Sequence, residues 1–320
     1  MSRSAFRRLC SFLEIPSVIF STLHGAVVTA IFAAILLAGS TTALADAATP
    51  GPAVTHATAR LGDARIHYTS QGQGAEAVVF IHGWACDASF WDAQVAALGA
   101  NRRVIAIDLI GFGKSDAPQA EYTQELLAQS LAAVLDAAQV RRAVLVGHSM
   151  GLSVAKSYID AHPERVAGLF IVDGVYMDLP KYEARAQGMR GVLAKPENDA
   201  DAGWRQFVAG FVQPMFSPAT PQELRAKTLS TMQNSPRHAA RSSMLHYLAP
   251  GSWNPAPAEL PVQAVYSAGM AKNMAVAENL PKVFPRVQIE EWADCGHFIM
   301  FDQPQRLSQA VAEFAARTLP

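Results

Sequence analysis

The sequence is poor in cysteine and in charge. Three cysteines among 320 residues are too few for a zinc ribbon or a disulfide-stapled scaffold. Only 17% of the residues are charged, 26 basic against 27 acidic, while 50% are hydrophobic, which excludes a disordered chain. No run of Lys and Arg follows the N-terminal region, so we expect no nucleic-acid partner. A chain of this length fits one large α/β domain with an insertion, and we expect a globular enzyme.

The N-terminal region has the pattern of a targeting segment. Three arginines precede an apolar stretch over residues 26–38 that is short for a membrane span, and small residues follow at Ala43 and Ala45. This pattern predicts a signal peptide over residues 1–45, cleaved after Ala45, and hence a periplasmic or secreted protein. An uncleaved N-terminal anchor is the alternative, and we expect no other membrane partner. Residues 46–57, rich in Ala, Pro and Thr, predict an exposed linker.

Strand and helix patterns alternate over most of the remaining chain. Runs typical of interior strands lie at residues 78–81, 103–108, 143–147, 168–173, 262–266 and 287–292. Helical stretches lie at residues 90–98, 125–138, 152–161 and 305–318, and a hairpin over residues 58–61 and 65–70 comes first. The alternation predicts an α/β fold with a doubly wound, mostly parallel sheet of about eight strands.

One long segment interrupts this alternation. Residues 174–259 contain no clear strand, only helical pieces rich in methionine and aromatic residues. A loop of this length does not stay structureless in a compact domain. We interpret the segment as a helical cap, inserted between core segments 58–173 and 260–320.

The motif with the clearest chemistry is Gly147-His148-Ser149-Met150-Gly151, which has a strand pattern before it and a helical pattern after it. Such a sharp turn strains the middle residue, and the flanking glycines remove side chains that would collide. The turn exposes a hydroxyl at a helix N-terminus, where the dipole favours developing negative charge. Ser149 is therefore the candidate nucleophile, in preference to an ordinary helix cap.

With this motif the chain resembles the α/β-hydrolase fold family over nearly all of residues 58–320. The resemblance also rests on His82-Gly83-Trp84 after the third strand, Asp108-x-x-Gly111-x-Gly113-x-Ser115 after the fourth, and Cys295-Gly296-His297-Phe298 before the last helix. Capped bacterial esterases and perhydrolase-like enzymes are the most similar members. The resemblance implies serine hydrolysis that calls for no metal and no organic cofactor.

A serine hydroxyl needs a base within hydrogen-bond reach, and the resemblance implies that His297 is this base. In most members the triad acid follows the strand before the histidine strand, but residues 267–273 contain no carboxylate at that place. Some relatives place the acid after the strand that follows the nucleophile helix, and Asp173 occupies that position. Asp173 is the predicted acid, and Asp294, three residues before His297, is the alternative.

Backbone amides are expected to form the oxyanion hole. The resemblance implies that the donors are the N–H groups of Met150 and Trp84. His82 and His148, together with Gly83, are expected to support these loops, the histidines through hydrogen bonds to loop backbone.

Two cysteines flank the motifs. Cys86 follows the His-Gly-Trp motif and Cys295 precedes His297. In an oxidising compartment a disulfide between them is possible, and a pair of free thiols is the alternative.

These residues together predict acyl transfer from a small-molecule substrate. The methionine- and aromatic-rich cap predicts an apolar pocket, so a small, largely apolar carboxylester is the first expectation. Lactone opening, carbon–carbon bond hydrolysis, perhydrolysis and aminopeptidase action fit the same triad. A catalytically silent binding protein of the same fold is the alternative from a different class.

Overall fold

The computed structural model describes residues 52–175, 182–195 and 200–319. The predicted signal peptide and residues 46–51 of the predicted linker lie outside the described residues. Among the residues described, no helix combines the length and the apolar character that crossing a membrane requires.

Eight strands form a single sheet within these ranges. They are β1 (Thr55–Leu61), β2 (Ala64–Gln71), β3 (Glu76–Ile81), β4 (Val104–Ile107), β5 (Arg142–His148), β6 (Val166–Val172), β7 (Val262–Ser267) and β8 (Val287–Trp292). Their order is β1-β2-β4-β3-β5-β6-β7-β8. β2 pairs antiparallel with β1 and β4, and the other neighbours pair parallel. The predicted α/β fold with a mostly parallel, doubly wound sheet is therefore confirmed.

Helices flank the sheet and connect its parallel strands. The core helices are α1 (Asp92–Leu98), α2 (Gln124–Ala137) and α3 (Gly151–Ala161) before β6, and α8 (Ala268–Asn273), α9 (Val276–Val283), α10 (Ile299–Asp302) and α11 (Pro304–Thr318) after β7. Helix α11 buries Leu307, Val311 and Phe314, which share one face at helical spacing. Phe314 packs edge-on against Phe170 of β6, which fixes this helix on the sheet.

Where it is described, the segment between β6 and β7 contains helices joined by turns and loops, and no strand. It contains α4 (Glu183–Leu193), α5 (Asp201–Val212), α6 (Gln222–Asn234) and α7 (Arg237–Tyr247), with a 3₁₀ turn at Gln213–Met215. We call α4–α7 with this turn the cap helices. Trp204, Val208 and Val212 of α5 are buried, and the rings of Trp204 and Phe207 pack against Trp84 of the core.

Several element boundaries differ from the sequence expectation by one to three residues, and two of these differences have a visible cause. Strand β1 begins at Thr55, because residues 55–57 pair with residues 68–70 of β2, which composition alone does not show. The predicted linker over residues 46–57 is therefore wrong for its last three residues. The helix expected from Phe90 begins at Asp92, because Asp87 accepts a hydrogen bond from the Ser89 amide and starts a 3₁₀ turn at Ala88–Trp91.

Candidate active site

Ser149 lies in a sharp turn between β5 and α3. Its φ of +53° is in the left-handed region, which is strained for a residue with a side chain. A Cβ at Gly147 would lie 2.8 Å from the Gly151 carbonyl oxygen, and one at Gly151 would lie 2.6 Å from the Ile81 oxygen. Neighbouring backbone atoms leave no room for a side chain at either position, so the turn requires both glycines.

Backbone strain recurs at the neighbouring strand ends. Among the described residues, five besides glycine have positive φ, and three of them, Ala85, Ser149 and Asp173, follow β3, β5 and β6. These strands are adjacent in the sheet. Strain of this kind persists where the surrounding structure holds it and is concentrated at functional sites.

The structure brings Asp173 and His297 into direct contact. His297 Nδ1 lies 2.7 Å from Asp173 Oδ2, and both side chains are buried. Since the carboxylate is an acceptor, Nδ1 carries the proton and Nε2 is left with a lone pair. Burial raises the pKa of the Asp173 carboxyl, while the hydrogen bond from His297 acts in the opposite direction.

Ser267, at the end of β7, also binds the Asp173 carboxylate. Its amide nitrogen lies 2.7 Å from Oδ1, and its hydroxyl lies 3.1 and 3.2 Å from Oδ1 and Oδ2. The sequence prediction did not include Ser267. The signal available was its position at the start of residues 267–273, where most family members have the acid.

The hydroxyl of Ser149 makes no hydrogen bond to the described residues, His297 included. Both side chains nevertheless line one cavity of about 120 Å³. Catalytic hydrogen bonds are often long in unliganded structures and shorten in the substrate complex. Ser149 and His297 thus share one cavity, and we expect the hydrogen bond between them to form when substrate binds.

Trp84 and Met150 are buried residues, and their backbone amides donate to no oxygen of the described residues. Gly83 brings its loop against the nucleophile turn, since a Cβ there would lie 3.1 Å from Ser149 Cβ and 2.9 Å from His148 Nδ1. The indole Nε1 of Trp84 donates to the Ala240 carbonyl oxygen at 2.7 Å, which fastens this loop to cap helix α7.

The two motif histidines bind loop backbone. His82 Nδ1 donates to the Gly83 oxygen at 2.7 Å, and its Nε2 accepts from the Leu109 amide at 3.1 Å. His148 Nε2 donates to the His297 carbonyl oxygen at 2.9 Å. Burial lowers the pKa of His82, and it lowers the pKa of His148 well below its ordinary value. Both rings are therefore held neutral.

The cap also holds the loop that carries His297. The His297 amide donates to the Met215 carbonyl oxygen at 2.9 Å, and a Cβ at Gly296 would lie 2.5 Å from that same oxygen. Asp302 accepts from the Gly296 amide with one carboxylate oxygen and from the Thr220 hydroxyl with the other. The cap segment thus takes part in positioning the imidazole.

Asp294, the alternative acid, points to other partners. Its Oδ2 accepts from Gln303 Nε2 at 2.7 Å, its Oδ1 lies 3.8 Å from Arg306, and 63% of its side chain is exposed. Asp173, by contrast, contacts the imidazole directly.

Cys86 and Cys295 are free thiols in the structure. Burial raises the pKa of Cys86 well above its ordinary value and raises the pKa of Cys295 to about 12. Both thiols therefore stay protonated near neutral pH, which argues against a cysteine nucleophile. Within residues 52–175, 182–195 and 200–319, no group of three or more His, Cys, Asp and Glu side chains is arranged to hold a metal ion.

The cavity beside Ser149 is apolar and rich in methionine. Four of its methionines come from the cap helices and their 3₁₀ turn, and three come from the core: Met189, Met215, Met232 and Met244, then Met150, Met270 and Met274. Trp84, Phe211 and Phe298 add aromatic surface. A thioether-lined cavity adapts its shape and makes favourable contacts with aromatic rings.

Comparison with known proteins agrees with this architecture. A profile described as the alpha/beta hydrolase family matches residues 78–310. An esterase from Exiguobacterium antarcticum has a similar structure, with a TM-score of 0.71 at 18% identity, covering 82% of this chain and all of that one. At this identity the similarity shows the fold alone.

Two hydrolases are similar in sequence. One, 2-hydroxy-6-oxo-6-phenylhexa-2,4-dienoate hydrolase of Comamonas testosteroni, is 24% identical over 79% of this chain and 92% of its own length. The other, 2-hydroxy-6-oxononadienedioate/2-hydroxy-6-oxononatrienedioate hydrolase of Paraburkholderia xenovorans, is 39% identical over 35% of this chain. The match spans about two fifths of that second relative, 41% of its length.

Proposed function

The chain belongs to the alpha/beta hydrolase family, and we propose that within it the protein is a serine hydrolase that cleaves a carboxylester of a small, largely apolar substrate. The observation that carries this proposal is the 2.7 Å hydrogen bond between His297 Nδ1 and buried Asp173, on an imidazole that shares a cavity with Ser149. A carboxylate on Nδ1 leaves Nε2 free to accept the proton of a nucleophile.

In the first half-reaction the Ser149 hydroxyl attacks the ester carbonyl and His297 Nε2 takes its proton. The Asp173 carboxylate stabilises the imidazolium that forms. The amides of Trp84 and Met150 donate to the oxyanion of the tetrahedral intermediate, and their unpaired state in the described residues supports this role. Collapse of the intermediate releases the alcohol, which takes the proton from His297, and leaves the acyl group on Ser149.

In the second half-reaction a water molecule replaces the alcohol. His297 Nε2 removes a proton from the water as it attacks the acyl carbon, and the same two amides hold the oxyanion again. The intermediate then expels the Ser149 oxygen, which recovers its proton from His297, and the free acid leaves.

The size of the cavity supports a limit on the apolar part of the acyl group. A dry cavity of about 150 Å³ binds benzene in another protein, so the cavity of about 120 Å³ beside Ser149 suits an acyl group of about six carbons. Its methionine and aromatic lining favours apolar groups.

Carbon–carbon bond hydrolysis is a second candidate. The relative that matches over 92% of its length is named for 2-hydroxy-6-oxo-6-phenylhexa-2,4-dienoate, an oxo acid without an ester, whose hydrolysis breaks a carbon–carbon bond. The same serine, histidine and amide donors serve attack on the C6 ketone of such a substrate, once its 2-hydroxydiene has tautomerised to the 2-oxo form that stabilises the departing carbanion.

A fluorophosphonate probe tests the proposal. We expect labelling of the wild-type protein at Ser149, and loss of labelling in Ser149→Ala. A panel of 4-nitrophenyl esters of increasing acyl length, beside a lactone, an aminoacyl amide and the oxo acid named above, then separates the reactions. Folded protein that neither reacts with the probe nor cleaves the panel would refute the proposal and favour a binding protein of this fold.

A further inference from the structure

A second cavity lies beside the imidazole. It is an open groove of about 780 Å³ that reaches Asp173, Ser267 and the loop before His297. Six residues line both this groove and the cavity at Ser149: Arg185, Met189, Phe211, Met215, Met270 and His297. The substrate space is therefore larger than the apolar cavity alone, and its two parts share one boundary.

Arg185 is the permanently charged side chain on that boundary. It lies on cap helix α4, one turn before Met189, and is exposed. Apart from Arg185, the described residues that line the cavity at Ser149 include no arginine, lysine, aspartate or glutamate. A guanidinium at the border of an otherwise apolar cavity is a strong discriminator between neutral and anionic ligands.

Among the described residues, the carboxylates of this helix and of the groove already have other partners. Glu183, on the same helix, pairs with Arg190. In the groove, Asp173 binds His297, and Asp294 binds Gln303 and lies near Arg306. Over residues 52–175, 182–195 and 200–319, Arg185 has neither an ion pair nor a hydrogen bond. Its five donors are available to a ligand.

From this arrangement we propose that Arg185 forms an anion subsite, and that the preferred substrates are small esters whose acyl chain carries a carboxylate. This inference rests on the proposed serine hydrolase activity and names its substrate class. The guanidinium fork binds a carboxylate through two parallel hydrogen bonds. The apolar part of the acyl chain lies among the methionines, and the carboxylate lies at the boundary, towards the groove.

Half-esters of dicarboxylic acids test the subsite. The 4-nitrophenyl half-esters of succinate, glutarate and adipate are each compared with the neutral 4-nitrophenyl ester of equal acyl length. For each pair we take the kcat/KM of the half-ester divided by that of the neutral ester. We expect this ratio to be largest at one chain length, at which the carboxylate reaches Arg185. Because the guanidinium is exposed, added salt lowers this ratio.

Substitutions assign the preference to one side chain. Arg185→Gln is expected to lower the ratio about three- to ten-fold, as for a charged hydrogen bond near the surface, and Arg185→Glu to lower it further. Arg205→Gln is the matched control, since Arg205 lies on cap helix α5 outside both cavities and binds Gln233 and Asn234. An unchanged ratio in Arg185→Gln, with hydrolysis still dependent on Ser149, overturns the subsite and leaves the proposed function standing.

A binding measurement keeps the inference testable without turnover. The methyl half-ester of glutarate and methyl pentanoate, which have equal acyl length, are titrated calorimetrically into Ser149→Ala protein, and the half-ester is expected to bind more tightly. Adding Arg185→Gln should remove the difference, whereas adding Arg205→Gln should not. Equal affinities for the half-ester and the neutral ester in the Ser149→Ala protein contradict the subsite, whatever the outcome of the hydrolysis assays.

Discussion

Replacing Asp173 with asparagine tests the proposed triad through a single atom. Asp173 Oδ1 accepts from the Ser267 amide at 2.7 Å, and Oδ2 accepts from His297 Nδ1 at 2.7 Å. An asparagine has only one acceptor oxygen, and the Ser267 amide, which can only donate, keeps that oxygen. The NH₂ group then faces His297 Nδ1 and forces the proton onto Nε2. The imidazole in this tautomer cannot accept the proton of Ser149.

The expected loss is large because no neighbouring group restores the tautomer. The corresponding change in a serine protease lowers kcat by about 10⁴, which is about 5.4 kcal/mol of transition-state stabilisation. Removing a charge from a buried site need not unfold the protein, because burial already raises the pKa of Asp173. We therefore expect folded Asp173→Asn protein with kcat about four orders of magnitude below that of the wild type.

The assay is hydrolysis of 4-nitrophenyl butyrate, with thermal unfolding measured on each variant. Asp294→Asn is the matched control, since Asp294 is 63% exposed and bound to Gln303, and its kcat should stay within about two-fold of the wild type. A folded Asp173→Asn protein that retains a tenth of the wild-type kcat would refute the reasoning. A large loss in Asp294→Asn alone would instead assign the acid to Asp294.

Three further predictions concern groups around the site. Ser267→Ala removes the hydroxyl that donates to the Asp173 carboxylate, so the pKa of Asp173 rises further. The acid limb of the kcat/KM profile should therefore move to higher pH, and Ser267→Thr should restore the wild-type profile. His82 and His148 are buried neutral but protonate near pH 6.5 when unfolded. Unfolding then takes up protons, so the free energy of unfolding should fall by about 1 to 3 kcal/mol between pH 7.5 and 5.5 in urea titrations; a flat profile contradicts this. Cys86, whose pKa burial raises, should resist iodoacetamide in the native protein and react in urea, as located by mass spectrometry.

Local patterns were sufficient for the sheet and for the serine turn. Strands such as β5 and β6 are apolar on both faces, and this pattern depends only on nearby residues. The glycines around Ser149 are required by backbone approaches within the turn and to β3. These features could be predicted because a short stretch of sequence carries the pattern that indicates each of them.

The remaining parts of the site depend on contacts between distant segments. Ser267 binds Asp173 across 94 positions of sequence, and Trp84 binds Ala240 across 156. The sequence around Ser267 and around Trp84 contains no pattern that indicates which distant residue each of them binds. The position of Arg185 at the boundary of two cavities depends on how the cap packs, which helical periodicity does not specify.

The most direct measurement of the central claim is a crystal structure of the protein after reaction with a fluorophosphonate. The account predicts a phosphorus atom bonded to Ser149 Oγ, with a phosphonyl oxygen about 3 Å from the amide nitrogens of Trp84 and Met150. His297 Nε2 should lie within hydrogen-bond distance of the adduct while Nδ1 stays on Asp173. An adduct on another residue, or an imidazole turned away from Ser149, would contradict the account.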